Sequence, residues 1–420
     1  MKPKILTTIK TYSGALFLED LVAGLTVAMV AIPLSIAIAI ASGADPAKGL
    51  VTAIVGGFFI SLLGGSHVQI GGPTGAFIVV VFGVVAAHGY DGLVLATMMA
   101  GVILVIAGLL RAGNLVEYVP EPVVNGFTIG IGIIIATSQL KDLFGLQMAV
   151  VPAGFVEKLA ALWAARGSFS AVALAVGFAT MVLIVVLRRA LPRFPGLIVA
   201  VAVTSALVAV MSLPVDTLFS RFGALPDRLP LPAWPEVSYG RVIELLPSAL
   251  VIAFLSGVES LLSAMVADRM IAGHHRPNAE VLAQGFANIG SALFGGIPAT
   301  GAIARTATNI RAGGKTPVAG LVHAVTILAV MMLAAPLAGY LAMPALAGLL
   351  ILTAWNMAEL HRWRGYMAGR WSDRVLLVLT LVLTVVVDLT VAIGVGVALG
   401  LALRLRGRQA PPGDWTPPDR

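Results

Sequence analysis

The chain has 420 residues, of which 59% are hydrophobic and only 11% are charged, and its mean hydropathy is +0.98. A soluble domain carries about 25% charged residues because its surface must be hydrated. The composition therefore indicates an integral membrane protein and excludes a disordered chain or a nucleic-acid-binding domain. Cysteine is absent, which excludes disulfides, thiolate metal sites and iron–sulfur clusters. We expect neither a metal nor a cofactor.

Nearly charge-free intervals of about 20 residues, the length of one helical span, recur along the chain. Single spans are predicted at residues 21–44, 92–110, 122–140, 167–187, 194–215 and 245–267. Four intervals hold two spans each, namely residues 49–90, 281–311, 316–358 and 375–403. Breaks are expected at Gly64–Gly65 and at Pro336, and Asp388 marks the connection before the last span. The pattern predicts an all-α protein with fourteen spans.

Two segments mix charged and aromatic residues with apolar ones, and we interpret residues 152–165 and 359–369 as helices lying in the membrane interface. Alternating sides through fourteen spans from a cytoplasmic N-terminus places 19 Lys or Arg inside and 7 outside, and leaves Arg305 within the membrane. Cytoplasmic loops are enriched in Lys and Arg. The asymmetry predicts that both termini are cytoplasmic, and it explains the net charge of +7 without nucleic acid.

Two interrupted segments mark matching places in the two halves of the chain. GGFFISLLGG at residues 56–65 is similar to ANIGSALFGG at residues 287–296, an offset of 231. Each is followed by a stretch rich in Gly, Pro and Thr, and the same offset aligns Pro73–Thr74 with Ala304–Arg305. Irregular backbone at membrane depth must be buried in protein or line a cavity, and paired interruptions indicate a transporter's substrate site.

A helix N-terminus carries a partial positive charge and free N–H groups, so two short helices facing each other would bind an anion. Arg305 adds a full charge. The alternative for glycines in a membrane helix is close packing, which we prefer for isolated pairs such as Gly126 and Gly130. A charged side chain at this depth is costly and predicts a function.

At these residues the chain resembles the sulfate permease family, also called solute carrier family 26. The similarity covers residues 15–405 and rests on four segments: DLVAGLTVAMVAIPLSIAIA (20–39), GGPTGAFI (71–78), SGVESLLSAMVADR (256–269) and ARTATNIRAGGKTPVAG (304–320). The last is the most specific, because the arginine, the polar half-helix and GGKT follow in the family's order and spacing.

The resemblance implies two inverted seven-span repeats, with half-helices 3 and 10 facing each other across the substrate. Spans 1–4 and 8–11 (residues 15–111 and 247–334) would form a core domain, and spans 5–7 and 12–14 (residues 120–215 and 335–405) a gate domain. It further implies a homodimer in the cell (inner) membrane. An elevator-like motion of core against gate would move sulfate, bicarbonate, chloride, oxalate or a dicarboxylate.

Two features depart from the family's pattern. Members usually have a glutamine after the proline of the first span and an aromatic residue soon after, where this chain has Leu34 and Ile38. A drier site with one donor fewer weakens any specific assignment to sulfate. A cytoplasmic STAS domain normally follows the last span, whereas here residues 406–420 resemble the start of a linker. We therefore expect this chain to be the membrane part of a longer protein.

The expected substrate-binding residues lie around the two half-helices and in the first span. Pro73 and Ala304 precede or flank the half-helix starts, and the N–H groups of Thr74, Gly75 and Thr306 would be free donors around Arg305. The hydroxyls of Thr306 and Thr308 could instead cap the helix by bonding to its backbone. Ile38 would line the site in place of the family's aromatic residue.

Glu259, halfway along span 8, is the expected proton-coupling residue. Burial favours its neutral form, and an arriving anion would favour it further, which gives proton–anion symport. The alternative is a permanent ion pair with Arg305 that joins spans 8 and 10. His67, His88 and His323 are interpreted as structural.

The sequence favours a carrier over other functional classes. Enzyme motifs such as HExxH and GxSxG are absent, and Gly313–Thr316 (GGKT) is not a phosphate-binding loop because Asn309 stands where that motif needs glycine. The serious alternatives are an anion channel, an uncoupled exchanger or a voltage-responsive motor on the same fold. Glu259 favours the carrier, because a channel needs no titrating group.

Overall fold

The computed structural model describes residues 2–114, 120–148, 151–152, 154–191, 195–358, 363–387 and 389–407. The first seven spans are span 1 (Gly14–Ala41), span 2 (Pro46–Leu63), half-helix 3 (residues 75–88), span 4 (residues 90–109), span 5 (Glu121–Leu143), span 6 (Ala171–Ala190) and span 7 (Gly196–Val210). Half-helix 3 and span 4 form one helical run to Leu109, kinked at Gly89, whose φ is 69°.

The second seven spans repeat this order. They are span 8 (Tyr239–Ile271), span 9 (Pro277–Leu293), half-helix 10 (Ile303–Arg311), span 11 (Pro317–Ala338), span 12 (Met343–Met357), span 13 (Trp371–Val386) and span 14 (Leu389–Gly407). Shorter helices are Ile5–Thr8, Phe155–Ala164, Leu218–Phe222 and Trp363–Ala368. The predicted all-α fold with fourteen spans is confirmed.

Two of the described spans begin where a capping side chain precedes a proline. Asp45 accepts a hydrogen bond from the N–H of Ala47, with Pro46 as the first residue of span 2. Thr316 does the same for Val318 ahead of Pro317 and span 11. Proline lacks an N–H that would be unpaired there and its fixed φ suits the first turn, so these local sequences define the starts of the spans.

Some predicted boundaries were wrong. The break before span 12 does not fall at Pro336, which lies inside the last turn of span 11; that helix continues to Ala338. Span 9 begins at Pro277 rather than at residue 281, because Glu280 is buried inside its first turn. The interface helix expected at residues 152–165 is present as Phe155–Ala164. Asp388 and residues 359–362 lie outside the described residues.

The spans pack in two bundles. Span 9 packs on spans 4 and 2, span 8 on span 4, and span 11 on spans 1 and 2, which joins spans 1–4 with spans 8–11. Span 5 packs on spans 12 and 13, span 6 on spans 7 and 12, and span 13 on span 14. The second bundle therefore consists of spans 5–7 and 12–14. Span 1 and half-helix 3 contact it through spans 5, 7 and 12.

Two-residue strands connect the two interrupted segments. β1 (Gly71–Gly72) pairs antiparallel with β2 (Thr300–Gly301), with Gly71 opposite Gly301 and Gly72 opposite Thr300. The N–H of Ala302 extends the contact by donating to the carbonyl of Ile70 at 2.9 Å. Backbone groups that lipid could not satisfy are thus paired between the two halves of the chain.

Candidate functional site

The two half-helices start immediately after the paired strands. Half-helix 3 begins with a 3₁₀ turn at Gly75 after the extended residue Thr74, and half-helix 10 begins at Ile303 after the extended residue Ala302. The first N–H groups of a helix have no partner within it. Both helix starts therefore place free donors and a partial positive charge directly after the same strand pair.

Arg305 is 1% exposed and lies in the first turn of half-helix 10. Its Nη2 donates to the carbonyl of Pro73 at 2.8 Å and to the hydroxyl of Ser35 at 3.3 Å. Its Nε and Nη1 have no hydrogen-bond partner among the described residues. A buried guanidinium with two unused donors is costly unless another group completes it.

Gly72 makes room for this guanidinium. Its φ of 147° is a conformation that side-chain-bearing residues rarely adopt. A Cβ at this position would also collide with Nη1 of Arg305. The backbone angle therefore requires a glycine here, and its missing side chain leaves room for the end of the Arg305 guanidinium.

Glu259 of span 8 contacts the start of half-helix 3. Its Oε2 accepts a hydrogen bond of 2.7 Å from the hydroxyl of Thr74. No ion pair joins it to Arg305 in the described part of the chain, so the alternative of a permanent Glu259–Arg305 pair is not seen. The structure brings Pro73, Thr74, Gly75 and Arg305 together, with Glu259 hydrogen-bonded to this group.

Thr306 does not supply the free donor that the sequence suggested. Its N–H donates to the carbonyl of Ala302 at 2.9 Å because it is already in the second turn. Its hydroxyl accepts hydrogen bonds from the N–H of Ile70 and from the hydroxyl of Ser263, which anchors half-helix 10 to the residue before β1 and to span 8. The hydroxyl of Thr308 bonds to the helix backbone, since it donates to the carbonyl of Ala304 at 2.8 Å. Ala304 itself is exposed.

Span 1 reaches the site through a residue that sequence reasoning missed. Ile38 is 1% exposed and packs in the apolar core, whereas Ser35, three residues earlier, bonds Arg305. Its hydroxyl, close to Pro33 in an otherwise apolar helix, was the sequence feature that could have identified Ser35 as a site residue. From the second bundle, Ile135 and Met357 close over Gly75, where they lie 3.3 and 3.2 Å from the position of an added Cβ.

A buried carboxylate behind the site was also missed. Glu280 is 0% exposed, and its two oxygens accept hydrogen bonds from five donors: the N–H groups of Gly65 and Ser66 and the side chains of Gln69, Ser260 and Gln284. It fixes the extended chain that leads into β1. The signal was the polar stripe of Glu280, Gln284, Asn288 and Ser291 along one face of span 9.

The three histidines differ in their surroundings. Nδ1 of His88 lies 2.9 Å from Glu244, and His67 is half-buried in the loop before β1. His323 is 0% exposed, and neither ring nitrogen has a partner among the described residues. The structural interpretation of these side chains stays a prediction.

Comparison with known proteins gives consistent results. The model of the sulfate permease family matches residues 17–380. A putative sulfate transporter of Bacillus subtilis, YvdB, is 42% identical over 373 residues, covering 88% of this chain and 70% of the relative. The bicarbonate transporter BicA of Picosynechococcus is 33% identical over 340 residues, covering 79% of this chain and 60% of the relative. The solved transmembrane domain of a cyanobacterial BicA superposes with a TM-score of 0.80 at 29% identity, covering 93% of this chain and 98% of that domain.

Proposed function

Because this chain belongs to the sulfate permease family, whose members are membrane transporters and not enzymes, we propose that it is a secondary active carrier that binds a small anion between half-helices 3 and 10. The observation that carries the proposal is Arg305, which is buried and whose Nε and Nη1 have no hydrogen-bond partner in the part of the chain that the structure describes. An anion there would accept charge-assisted hydrogen bonds from both nitrogens and from the free N–H groups of the two helix starts.

The chemistry of this site limits the substrate to a class. A guanidinium and two helix N-termini accept inorganic oxyanions, chloride and dicarboxylates alike. The relatives are named for sulfate and for bicarbonate, and we infer a small anion of this kind. Ile135 and Met357 close the site with apolar surface, which suits a compact substrate that has lost its water.

We further propose that Glu259 couples transport to protons. Its carboxylate is bound to Thr74 at the start of half-helix 3, so an anion arriving there brings a like charge next to it. The repulsion favours protonation of Glu259, and the loaded site then carries less net charge. The linkage is reciprocal: lower pH should tighten anion binding, and bound anion should promote proton uptake.

The two bundles suggest how the site is moved. We propose that spans 1–4 and 8–11 form a core domain and that spans 5–7 and 12–14 form a gate domain. The β1–β2 pair and the contacts of Arg305 would carry both half-helices as one unit in an elevator-type motion. Half-helix 3 is covered by gate residues, whereas Ile303 of half-helix 10 is 42% exposed. This asymmetry supports access from the side of half-helix 10, which the topology prediction makes the cytoplasm.

The location and assembly of the protein follow the same proposal. The chain is a multi-pass membrane protein, and we propose the cell (inner) membrane with both termini in the cytoplasm. A homodimer is proposed from the family resemblance.

Uptake into proteoliposomes tests the function. Purified protein should take up a labelled panel of sulfate, bicarbonate, chloride and dicarboxylates, and an inward proton gradient should drive accumulation of at least one of them. Glu259→Gln mimics the protonated acid, so we expect it to retain binding and exchange without gradient-driven accumulation. Glu244→Gln is the matched control, because Glu244 lies on the same helix with a side chain 58% exposed.

The outcomes separate the alternatives. Accumulation by Glu259→Gln equal to that of the wild type would remove Glu259 from coupling. Saturable exchange that ignores the proton gradient in the wild type would make the protein an uncoupled exchanger. Large non-saturating currents would make it a channel.

A further inference from the structure

Lys158 is a buried cation in the interface helix Phe155–Ala164. It is 4% exposed, and its Nζ donates to the hydroxyl of Ser138 in span 5 at 2.9 Å. The same Nζ lies 5.3 Å from the ring centroid of Phe82 in half-helix 3. One ammonium group thus touches both bundles.

The charge of Lys158 has no acidic partner in the described residues. A hydroxyl and an aromatic face compensate an ammonium only in part, and burial lowers the pKa of this lysine. Arg166, eight residues further along and just after the interface helix, provides a contrast. It lies 4.7 Å over the Trp163 ring within its own exposed segment, where water solvates it. Lys158 is therefore an incompletely compensated cation beside the proposed pathway.

The spacing along two helices places Lys158 next to the route of the anion site. Gly75, at the start of half-helix 3, now faces Ile135 of span 5. Ser138, the partner of Lys158, lies one turn further along span 5, about 5 Å toward the interface helix. Phe82 lies seven residues after Gly75, about 10 Å along its helix. If spans 1–4 and 8–11 moved about 5–10 Å toward the interface helix, the anion site would take the position beside Lys158 that the Phe82 ring now occupies.

We propose that Lys158 is a gate-domain anion ligand: in the state opposite to the one seen here, its ammonium binds the transported anion in place of the Phe82 ring. The inference rests on the proposed function and adds a residue that acts on one side of the membrane only. In this structure the Phe82 ring and Ser138 hold the ammonium while the site is turned away. After the shift, a small anion would lie between Lys158 and the helix starts, and the missing counter-charge would be supplied by the substrate.

Transport measured separately from each face of the membrane tests the role of Lys158. Proteoliposomes with uniform orientation give the half-saturating anion concentration separately from the face that carries the interface helix and from the opposite face. Lys158→Met should raise that concentration about ten- to hundredfold on the interface-helix face, the loss expected for one charge-assisted hydrogen bond. The opposite face should keep its wild-type value. Lys158→Arg should restore most of the affinity, and the control Arg166→Met should change neither face.

An unchanged value on the interface-helix face, or an equal increase on both faces, would overturn the proposal and leave Lys158 as a packing residue. Should Lys158→Met not yield monodisperse protein, Lys158→Gln takes its place under the same criteria. Transport by the wild-type protein tests the proposed carrier function separately. If the wild type shows no saturable transport from either face, the carrier function itself fails; if it saturates on both faces, only the role of Lys158 is being judged.

Discussion

Replacing Arg305 with alanine removes the buried cation on which the proposed anion site depends. Two of its nitrogens, Nε and Nη1, have no hydrogen-bond partner among the residues that the structure describes, and each can donate a charge-assisted hydrogen bond worth about 1.5–3 kcal/mol. Loss of both should weaken anion binding by about 3–6 kcal/mol, or about 10²- to 10⁴-fold. Arg305→Lys keeps the charge but not the planar fork, and we expect an intermediate loss of about ten- to hundredfold.

Anion binding to detergent-solubilised protein, measured by calorimetry, gives this loss directly, and proteoliposome uptake gives its effect on transport. Arg311→Ala is the matched control, because Arg311 is an exposed cation at the other end of the same half-helix. Arg305 also contacts Pro73 and Ser35, so monodispersity and thermal unfolding must be measured alongside. A well-folded Arg305→Ala protein that binds its anion within about threefold of wild type would refute the placement of the site.

Two further predictions concern stability and topology. Glu280→Ala removes the shared acceptor of five buried donors. The side chains of Gln69 and Gln284 keep a bond to Ser260, whereas the N–H groups of Gly65 and Ser66 lose their side-chain acceptor, so the free energy of unfolding should fall by about 3 kcal/mol or more; a thermal midpoint no lower than that of Glu244→Ala would contradict this. In the cysteine-free chain, an impermeant thiol reagent added to intact cells should label Asp227→Cys in the loop between spans 7 and 8 but not Thr7→Cys. Labelling at Thr7 would place the N-terminus outside.

Hydropathy could predict the spans because every helix that crosses the lipid must be apolar over most of its length. The interruptions at Gly71–Thr74 and at residues 300–304 were visible for the same reason, since glycine, proline and threonine at membrane depth need an explanation. The same rule misplaced the start of span 9. A search for charge-free intervals excludes Glu280, although this carboxylate is compatible with a buried helix once five donors surround it.

The site was predictable to the level of the half-helix starts and less so at single side chains. Arg305 stood out because a lone charge in a span is rare. Whether a hydroxyl faces the substrate or the scaffold depends on helix rotation and on which turn it occupies. Thr74 reaches Glu259, whereas Thr306 binds backbone and span 8. Ser35 and Lys158 were overlooked because their partners lie on other spans, far away in the sequence.

The pairing of β1 with β2 has a consequence for how the protein is made. Gly71 cannot pair until Gly301, its partner in β2, has been synthesised 230 residues later. At about 5–20 residues per second, the ribosome takes about 10–50 s to reach it. During that time β1 has no partner strand. Its backbone N–H and C=O groups must form hydrogen bonds with water or with the insertion machinery. The first seven spans therefore cannot reach their final arrangement alone, and half-helix 3 is expected to settle only after the second repeat has been inserted.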